Sequence, residues 1–77
     1  MTNKHWSAGT LEVACLQDGT RLLRVIVPVP KGLRRTFEVH QPGRKPRVYA
    51  LRRDAVLDLI RCARPREQVT LREDDTP

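Results

Sequence analysis

Residues 49–65, YALRRDAVLDLIRCARP, form the one stretch of this 77-residue chain whose apolar residues recur at helical spacing. With about 100° between successive residues, the apolar side chains share one wide stripe. They are Val56, Leu59, Ile60 and Ala63 along its centre and Ala55, Leu57 and Cys62 at its edges. Its arc of about 200° is wider than the ~100° that a helix on a core needs. The stripe is therefore either core with a hydrophobic rim, or a dimer or partner interface along Leu57 and Cys62.

The charged residues of this segment agree with the dipole of the predicted helix. Asp54 can cap the first turn by accepting hydrogen bonds from free backbone N–H groups, and Asp58 lies toward the same positive end. Both aspartates stay clear of the apolar stripe. Arg61 and Arg64 lie at the negative end, and Pro65 stops the helix. Because an isolated helix of about 11 residues is marginal in water, we expect a sheet to stabilise it.

Two strands, 10–16 and 20–27, are predicted on either side of Gln17-Asp18-Gly19. A two-residue Asp-Gly turn would place an arginine opposite Val13. A three-residue loop, with Gly19 left-handed in a bulge, keeps the apolar residues together instead. We therefore predict the three-residue loop. It sets Val13 beside Leu23, Leu11 beside Val25, and Glu12 opposite Arg24.

Three further segments, 34–40, 47–51 and 68–72, alternate at the two-residue period of a strand. The third follows the helix, whereas the second leads directly into it. The predicted inward positions are Phe37 and Val39 in the first segment, Tyr49 and Leu51, which match them, in the second, and Val69 and Leu71 in the third.

The element order β-β-β-β-α-β predicts an α+β fold: a small antiparallel meander of about four to five strands with one α-helix packed on one face. The alternative is a small SH3-like or OB-like barrel whose helix plugs one end, although an OB arrangement usually places its helix after the third strand. We expect one domain over residues 1–77, with loose termini at 1–9 and 73–77. Within the first of these, Trp6 either covers an end of the core or is an exposed contact residue.

Composition indicates a small cytoplasmic protein with an acidic partner. The chain has 15 basic and 9 acidic residues, for a formal charge of +6, and most of its cations are arginines, which suit bidentate contacts with phosphate or carboxylate. Two cysteines, Cys15 and Cys62, do not make a disulfide framework, and the N-terminus lacks the apolar region of a secretion signal. No stretch approaches the ~20 apolar residues needed to span a bilayer.

The sequence argues against an enzyme. The soft metal ligands occur singly, without the close spacings of zinc sites: His5, Cys15, His40 and Cys62. Cys62 has no histidine nearby in sequence to activate it as a nucleophile. The carboxylates of Glu12, Glu38, Asp54 and Asp58 have plainer roles in strand pairing or in the helix, and no glycine-rich phosphate loop is present. We therefore predict no catalytic residues, no metal and no cofactor.

Most of the positive charge falls in one 23-residue stretch in which Glu38 is the only acid. The predicted partner-binding or phosphate-binding residues are Lys31, Arg34, Arg35, Arg44, Lys45, Arg47, Arg52 and Arg53. The loop 42–46 adds backbone N–H groups beside two of them.

Two functions remain open. The chain is a non-enzymatic regulator or inhibitor, of the kind that phages and other mobile elements encode, which docks its arginine-rich hairpin on an acidic surface of a larger protein or nucleoprotein complex. Alternatively, it is a sequence-nonspecific nucleic-acid-binding module that contacts phosphates through the same arginines. The chain has only one Phe, one Tyr and one Trp, so few aromatic side chains are available to stack on RNA bases. Homodimerisation through the helix is compatible with both functions.

Overall fold

An antiparallel meander and one helix make up residues 8–72, the part of the chain that the computed structural model describes. The elements are β1 (Gly9–Cys15), β2 (Arg21–Val29), β3 (Gly32–His40), β4 (Arg47–Tyr49) and α1 (Arg52–Cys62). The strands form one antiparallel sheet in the order β1-β2-β3-β4, so β1 and β4 are its two edges. The predicted α+β meander with one helix is confirmed, and the sheet is open rather than closed into a barrel.

The core lies between α1 and one face of the sheet. Leu22 pairs with Val39 across β2 and β3, and Phe37 pairs with Tyr49 across β3 and β4; only the second pair was predicted from alternation. These sheet residues meet Leu59 of α1, and the other buried members of the cluster are Val13, Ala14, Leu16 and Ala55. Each large apolar side chain that is fully buried in this way contributes about 1.5–3 kcal/mol.

The loop between β1 and β2 has the predicted three residues. The Leu16 N–H donates to the Thr20 carbonyl at 2.8 Å, and the Gly19 N–H donates to the Leu16 carbonyl at 3.1 Å. Gly19 is left-handed, with a φ of 94°. The loop geometry is therefore confirmed.

The predicted pairing farther along this hairpin is wrong, because β1 contains a bulge. The register shifts between Glu12 and Ala14, so Val13 has no partner on β2. The extra residue lets the consecutive Val13 and Ala14 both reach the core, which regular alternation does not allow. Beyond the bulge Glu12 pairs with Leu23, Leu11 with Arg24, and Thr10 with Val25.

Two expectations for the ends of the sheet are also corrected. Leu51 does not match Val39, because β4 ends at Tyr49 and Arg47 takes the position opposite Val39. Residues 68–72 do not form a strand. This segment follows β1 with one backbone hydrogen bond, from the Arg72 N–H to the Val13 carbonyl at 3.0 Å, since the bulge at Val13 interrupts the regular edge. Val69 and Leu71, the predicted inward residues, do pack against the core.

The termini are described only in part. β1 begins at Gly9, the last residue of the predicted N-terminal segment 1–9. The expectations for Trp6 and for the rest of residues 1–7 and 73–77 lie outside the described residues. Within 8–72, the structure contains no helix with the length and apolar character that crossing a membrane requires.

The buried face of α1 is rotated from the predicted stripe. Asp58 is only 9% exposed, whereas Ile60, placed at the centre of the stripe by its spacing, is 51% exposed. Asp54 does not cap the helix: the N-cap position is Leu51, which makes no side-chain cap hydrogen bond. Asp54 lies in the first turn and forms an exposed ion pair with Arg53 at 3.8 Å.

Substitution of Gly19 tests the hairpin loop. Gly19→Ala should lower the free energy of unfolding by about 1–2 kcal/mol, because an alanine at φ 94° is strained; its Cβ would lie 3.4 Å from Pro42 Cγ, an ordinary contact distance. Gly43→Ala is the comparison for backbone strain alone, since Gly43 is also left-handed but has open space around it, and it should lower the free energy of unfolding by a similar amount. Urea unfolding measures both; an unchanged midpoint for Gly19→Ala would contradict the loop geometry.

Candidate functional site

Asp58 is the centre of a polar cluster between β4 and α1. The Arg47 guanidinium donates to both of its oxygens, from Nε to Oδ2 at 2.6 Å and from Nη2 to Oδ1 at 2.9 Å. The Tyr49 hydroxyl also donates to Oδ2, at 2.6 Å. A bidentate pair of this geometry is among the stronger polar contacts in proteins. It ties a three-residue edge strand to the helix.

The cluster shifts the protonation equilibria of its members. The hydrogen bonds from Arg47 lower the pKa of the Asp58 carboxyl below its usual range, although burial acts in the opposite direction. The hydrogen bond to Asp58 raises the pKa of the Arg47 guanidinium, and it raises the pKa of the Tyr49 hydroxyl as well. Asp58 is therefore anionic at neutral pH, and a carboxylate with a lowered pKa is a poor general base.

This cluster changes the interpretation of two predicted site residues. The Arg47 guanidinium is engaged by Asp58, and its Nη1 also donates to Gln41 Oε1 at 3.4 Å, so it is not a free phosphate-binding cation. Cys62 lies on the inner side of α1, where its Sγ accepts from Arg47 Nη2 at 3.5 Å. It does not share an exposed face with Leu57, because five residues along a helix separate two side chains by about 140°.

The remaining predicted cations occupy both ends of β3 and the start of α1. β2 and β3 extend beyond their neighbours, because β1 pairs only as far as Ile26 and β4 only as far as Phe37. We call residues 27–35 the basic arm; it carries the exposed Lys31, Arg34 and Arg35. The basic loop, residues 41–46, carries the exposed Arg44 and Lys45. The ends of β3 are about 26 Å apart at ~3.3 Å per residue, so the arm and loop are separate surfaces.

The other two predicted cations belong to α1. Arg52 is the half-buried first residue of the helix, and Arg53 is exposed and paired with Asp54. On the basic arm, the Arg35 guanidinium carbon lies 5.4 Å from the centre of the Phe37 ring, within the range of a cation–π contact.

The acidic residues of the described chain are engaged locally. Glu12 pairs with Arg21 at 3.7 Å, and Glu38 pairs with His40 at 2.8 Å. Asp18 accepts from the backbone N–H of Thr20, which lowers the pKa of its carboxyl. Glu67 accepts from the backbone N–H groups of Gln17 and Arg64. Among residues 8–72, no carboxylate forms an ion pair with Lys31, Arg34, Arg44 or Lys45.

Exposed apolar side chains accompany these cations. Val27 and Leu33 lie on the basic arm, Leu57 and Ile60 lie on the outer side of α1, and Leu51 is exposed just before the helix. We call Leu57 and Ile60 the outer ridge. Sequence reasoning placed Leu57 at the edge of the apolar stripe, placed Ile60 at its centre, where the structure instead exposes it, and did not single out Leu33. The proline- and glycine-containing turn between Val27 and Leu33 is the signal that could have identified an arm.

Removing the Asp58 carboxylate tests its structural role. Asp58→Ala should lower the free energy of unfolding by about 2–3 kcal/mol, because it leaves the Arg47 guanidinium half-buried without its anion. Asp54→Ala removes a carboxylate from the same helix and should change stability by no more than about 0.5 kcal/mol, since its pair with Arg53 is exposed. Chemical unfolding of both variants makes the comparison; equal effects would contradict the assigned role.

The same carboxylate predicts the acid stability of the fold. Because the pKa of folded Asp58 is below its ordinary value of 3.8, its contribution is fully present above that pH. The contribution is lost as pH falls through the lowered pKa. Asp58→Asn should therefore lose less stability than the wild type when the pH is lowered from 5 to 2. The pKa of Asp18 is also lowered, but Asp18 is present in both proteins, so its contribution cancels in the comparison. Parallel slopes of the urea midpoint against pH would contradict this.

No family model, no curated protein and no solved structure matches this chain.

Proposed function

We propose that this chain is a non-enzymatic binding protein, acting as a regulator or inhibitor, that docks the basic arm and the basic loop on an acidic surface of a larger protein or nucleoprotein complex. The observation that supports this most directly is the uneven pairing of charges. Carboxylates within residues 8–72 are held by local partners, whereas Lys31, Arg34, Arg44 and Lys45 are exposed and lack ion pairs there. The positive field at both ends of β3 is therefore available to a partner.

The composition of the basic arm favours a protein surface as its target. Val27 and Leu33 are exposed beside Lys31 and Arg34. Protein interfaces combine apolar contacts with arginine, and their charges suppress binding to wrong partners. Exposed valine and leucine side chains would contribute to such an interface, whereas they make no favourable contact with phosphates. Cys15 and Cys62 are free thiols, which fits the cytoplasmic location that the proposal includes.

A nucleic acid is the second candidate, and the shape of the basic arm favours it. The arm is a two-stranded antiparallel ribbon closed by the pair Val29 and Gly32. The major groove of B-form DNA admits a two-stranded ribbon. Contacts from Lys31, Arg34, Arg44 and Lys45 to four phosphates would give a slope of about −3.5 for log affinity against log salt.

Nuclease treatment separates the two candidates. Tagged protein is incubated with lysate from a host cell, with and without nuclease, and the recovered proteins are identified by mass spectrometry. A protein target should remain after nuclease treatment. Loss of every partner, together with binding of a ~20-base-pair DNA duplex at the salt slope given above, would replace the first candidate by the second. Failure of both assays would overturn the proposal.

Charge removal tests which surface docks. Arg34→Ala and Arg44→Ala should each weaken binding to the recovered partner by about tenfold or more if these residues are central contacts. Arg66→Asn is the matched control, because Arg66 lies in an exposed turn with a φ of 71°, a conformation that asparagine tolerates. It removes one positive charge away from the arm and should weaken binding less than about threefold. Equal losses in all three variants would indicate nonspecific attraction and contradict docking through the arm and loop.

A further inference from the structure

One strand edge of the basic arm has the geometry to accept a further strand. β4 pairs with β3 only from Phe37 onward, and within the described chain no strand lies beside residues 32–36 on that side. Leu33 is 48% exposed, and Arg34 and Arg35 next to it are exposed as well. Residues 32–36, which we call the open edge, span about 16 Å at ~3.3 Å per residue.

Pro28 shows which backbone groups of β3 point to the open edge. It lies opposite Leu33, and because proline has no N–H these two residues cannot exchange the two hydrogen bonds of a hydrogen-bonded pair. The pairs of an antiparallel ladder alternate between the two kinds, so the N–H and C=O of Leu33 point away from β2. Phe37 uses the same side of β3 to meet Tyr49 of β4. An added strand would therefore continue the ladder that β4 begins.

The opposite edge of the arm is less suited to a further strand. β1 pairs with β2 only as far as Ile26, so residues 27–29 have no partner strand on that side among the described residues. The residue there whose backbone groups point outward is Pro28, which has a carbonyl but no N–H to donate. The two edges of the arm therefore differ, and the open edge on β3 is the one that offers both a donor and an acceptor.

The side chains around the open edge are positively charged. Lys31 and Arg34 are exposed, and neither forms an ion pair with a carboxylate of residues 8–72. Arg35 adds a third cation, and residues 27–36 include no acidic residue. Opposite charges on neighbouring strands stabilise their pairing, whereas like charges placed opposite each other destabilise it. The strand that fits this edge is therefore acidic.

We infer that the open edge binds an extended acidic segment of the partner protein, which pairs with β3 as an added strand of the sheet. In this binding mode the main-chain hydrogen bonds provide affinity, and side chains at alternate positions provide specificity. Successive residues of a strand point to opposite faces, so an acidic residue would face Arg34 on one face and an apolar residue would contact Leu33 on the other. The inference rests on the proposed function, because it specifies how the basic arm docks.

Two other occupants fit the open edge less well. A second copy of this chain, paired edge to edge, would bring the cations of one arm against those of the other, and like charges would then face each other. The phosphates of a nucleic acid can accept from the Leu33 N–H, but they supply no donor for the Leu33 carbonyl. An acidic peptide supplies donors, acceptors and negative charge together at the spacing of a strand.

Synthetic peptides test the inferred pairing. The probe is a blocked peptide of alternating glutamate and valine, about eight residues long, and its two matched controls carry N-methyl groups on every valine or on every glutamate. With the valines on the same face as Leu33, the valine N–H groups point to β3 and the glutamate N–H groups point to solvent. Methylation of the valines should therefore weaken binding about tenfold or more, and methylation of the glutamates less than about threefold. The three peptides carry the same charge, so equal affinities would indicate attraction by charge alone and would overturn the inference.

Hydrogen exchange measured by nuclear magnetic resonance locates the bound peptide. In the protein alone, the amide of Leu33 should exchange faster than that of Arg34, which points to β2. Saturating peptide should slow exchange at Leu33 about tenfold or more and change Arg34 little. Unchanged exchange at Leu33, or no change in the spectrum of residues 32–36 at about 1 mM peptide, would overturn the inference. Slower exchange at Leu33 when the protein alone is concentrated would identify a second copy as the occupant and would also overturn it.

Failure of this inference can be distinguished from failure of the proposed function. Arg34→Ala removes a charge from the arm and tests docking in any mode. If it weakens binding to the recovered partner while the three peptides bind equally or not at all, the arm docks without strand pairing, and only this inference fails. Preference for the unmethylated and glutamate-methylated peptides, with slower exchange at Leu33, supports strand pairing even if no partner is recovered.

Discussion

The ion pair between Arg47 and Asp58 is the constraint on which the arrangement of the helix depends. β4 has only three residues and leads into α1 after two more, so few contacts are available to fix the angle of the helix on the sheet. Two hydrogen bonds from one guanidinium, and a third from the Tyr49 hydroxyl, supply a directional contact at this point. Apolar packing alone is not directional, and it would allow the helix to roll on Phe37 and Val39.

The inward orientation of Asp58 also determines which residues are exposed on the opposite side of the helix. Turning Asp58 inward rotates the buried face by about a quarter turn from the apolar stripe at ~100° per residue. The same rotation moves Ile60 outward beside Leu57 and leaves both exposed. The polar anchor and the apolar outer ridge are therefore two results of one rotation. A helix with an apolar residue at position 58 would have no reason to expose position 60.

The sequence was sufficient for the architecture because alternation and helical spacing are local signals. The α+β meander, the three-residue loop at Gly19 and the pair of Phe37 with Tyr49 all follow from residues close in sequence or from matching two alternating strands. The Arg47–Asp58 pair depended on a contact across 11 residues, and a helical wheel assigns any aspartate to solvent. The sequence nevertheless contained a signal for this pair. Arg47 lies two residues before Tyr49, so both side chains point to the same face of the sheet, and Asp58 shares one side of the helix with Ala55 and Cys62. The bulge at Val13 could not be predicted, because it depends on whether both of two adjacent apolar residues, Val13 and Ala14, reach the assembled core. The strand predicted at 68–72 has the right alternation, and its Val69 and Leu71 pack inward, but alternation does not show whether the backbone pairs with a neighbouring strand.

The reach of β2 and β3 beyond their neighbours has a further consequence for solubility. Along residues 32–36, β3 has no partner strand among the described residues on the side where β4 has already ended. An unpaired strand edge is a template for edge-to-edge pairing with another chain, and natural sheets guard such edges with charged side chains. Arg34 and Arg35 occupy the middle of this edge, next to a turn rich in proline. Positive charge at this position opposes such pairing between copies of the chain. The charge of the basic arm therefore limits self-association through this edge, independently of any role in binding.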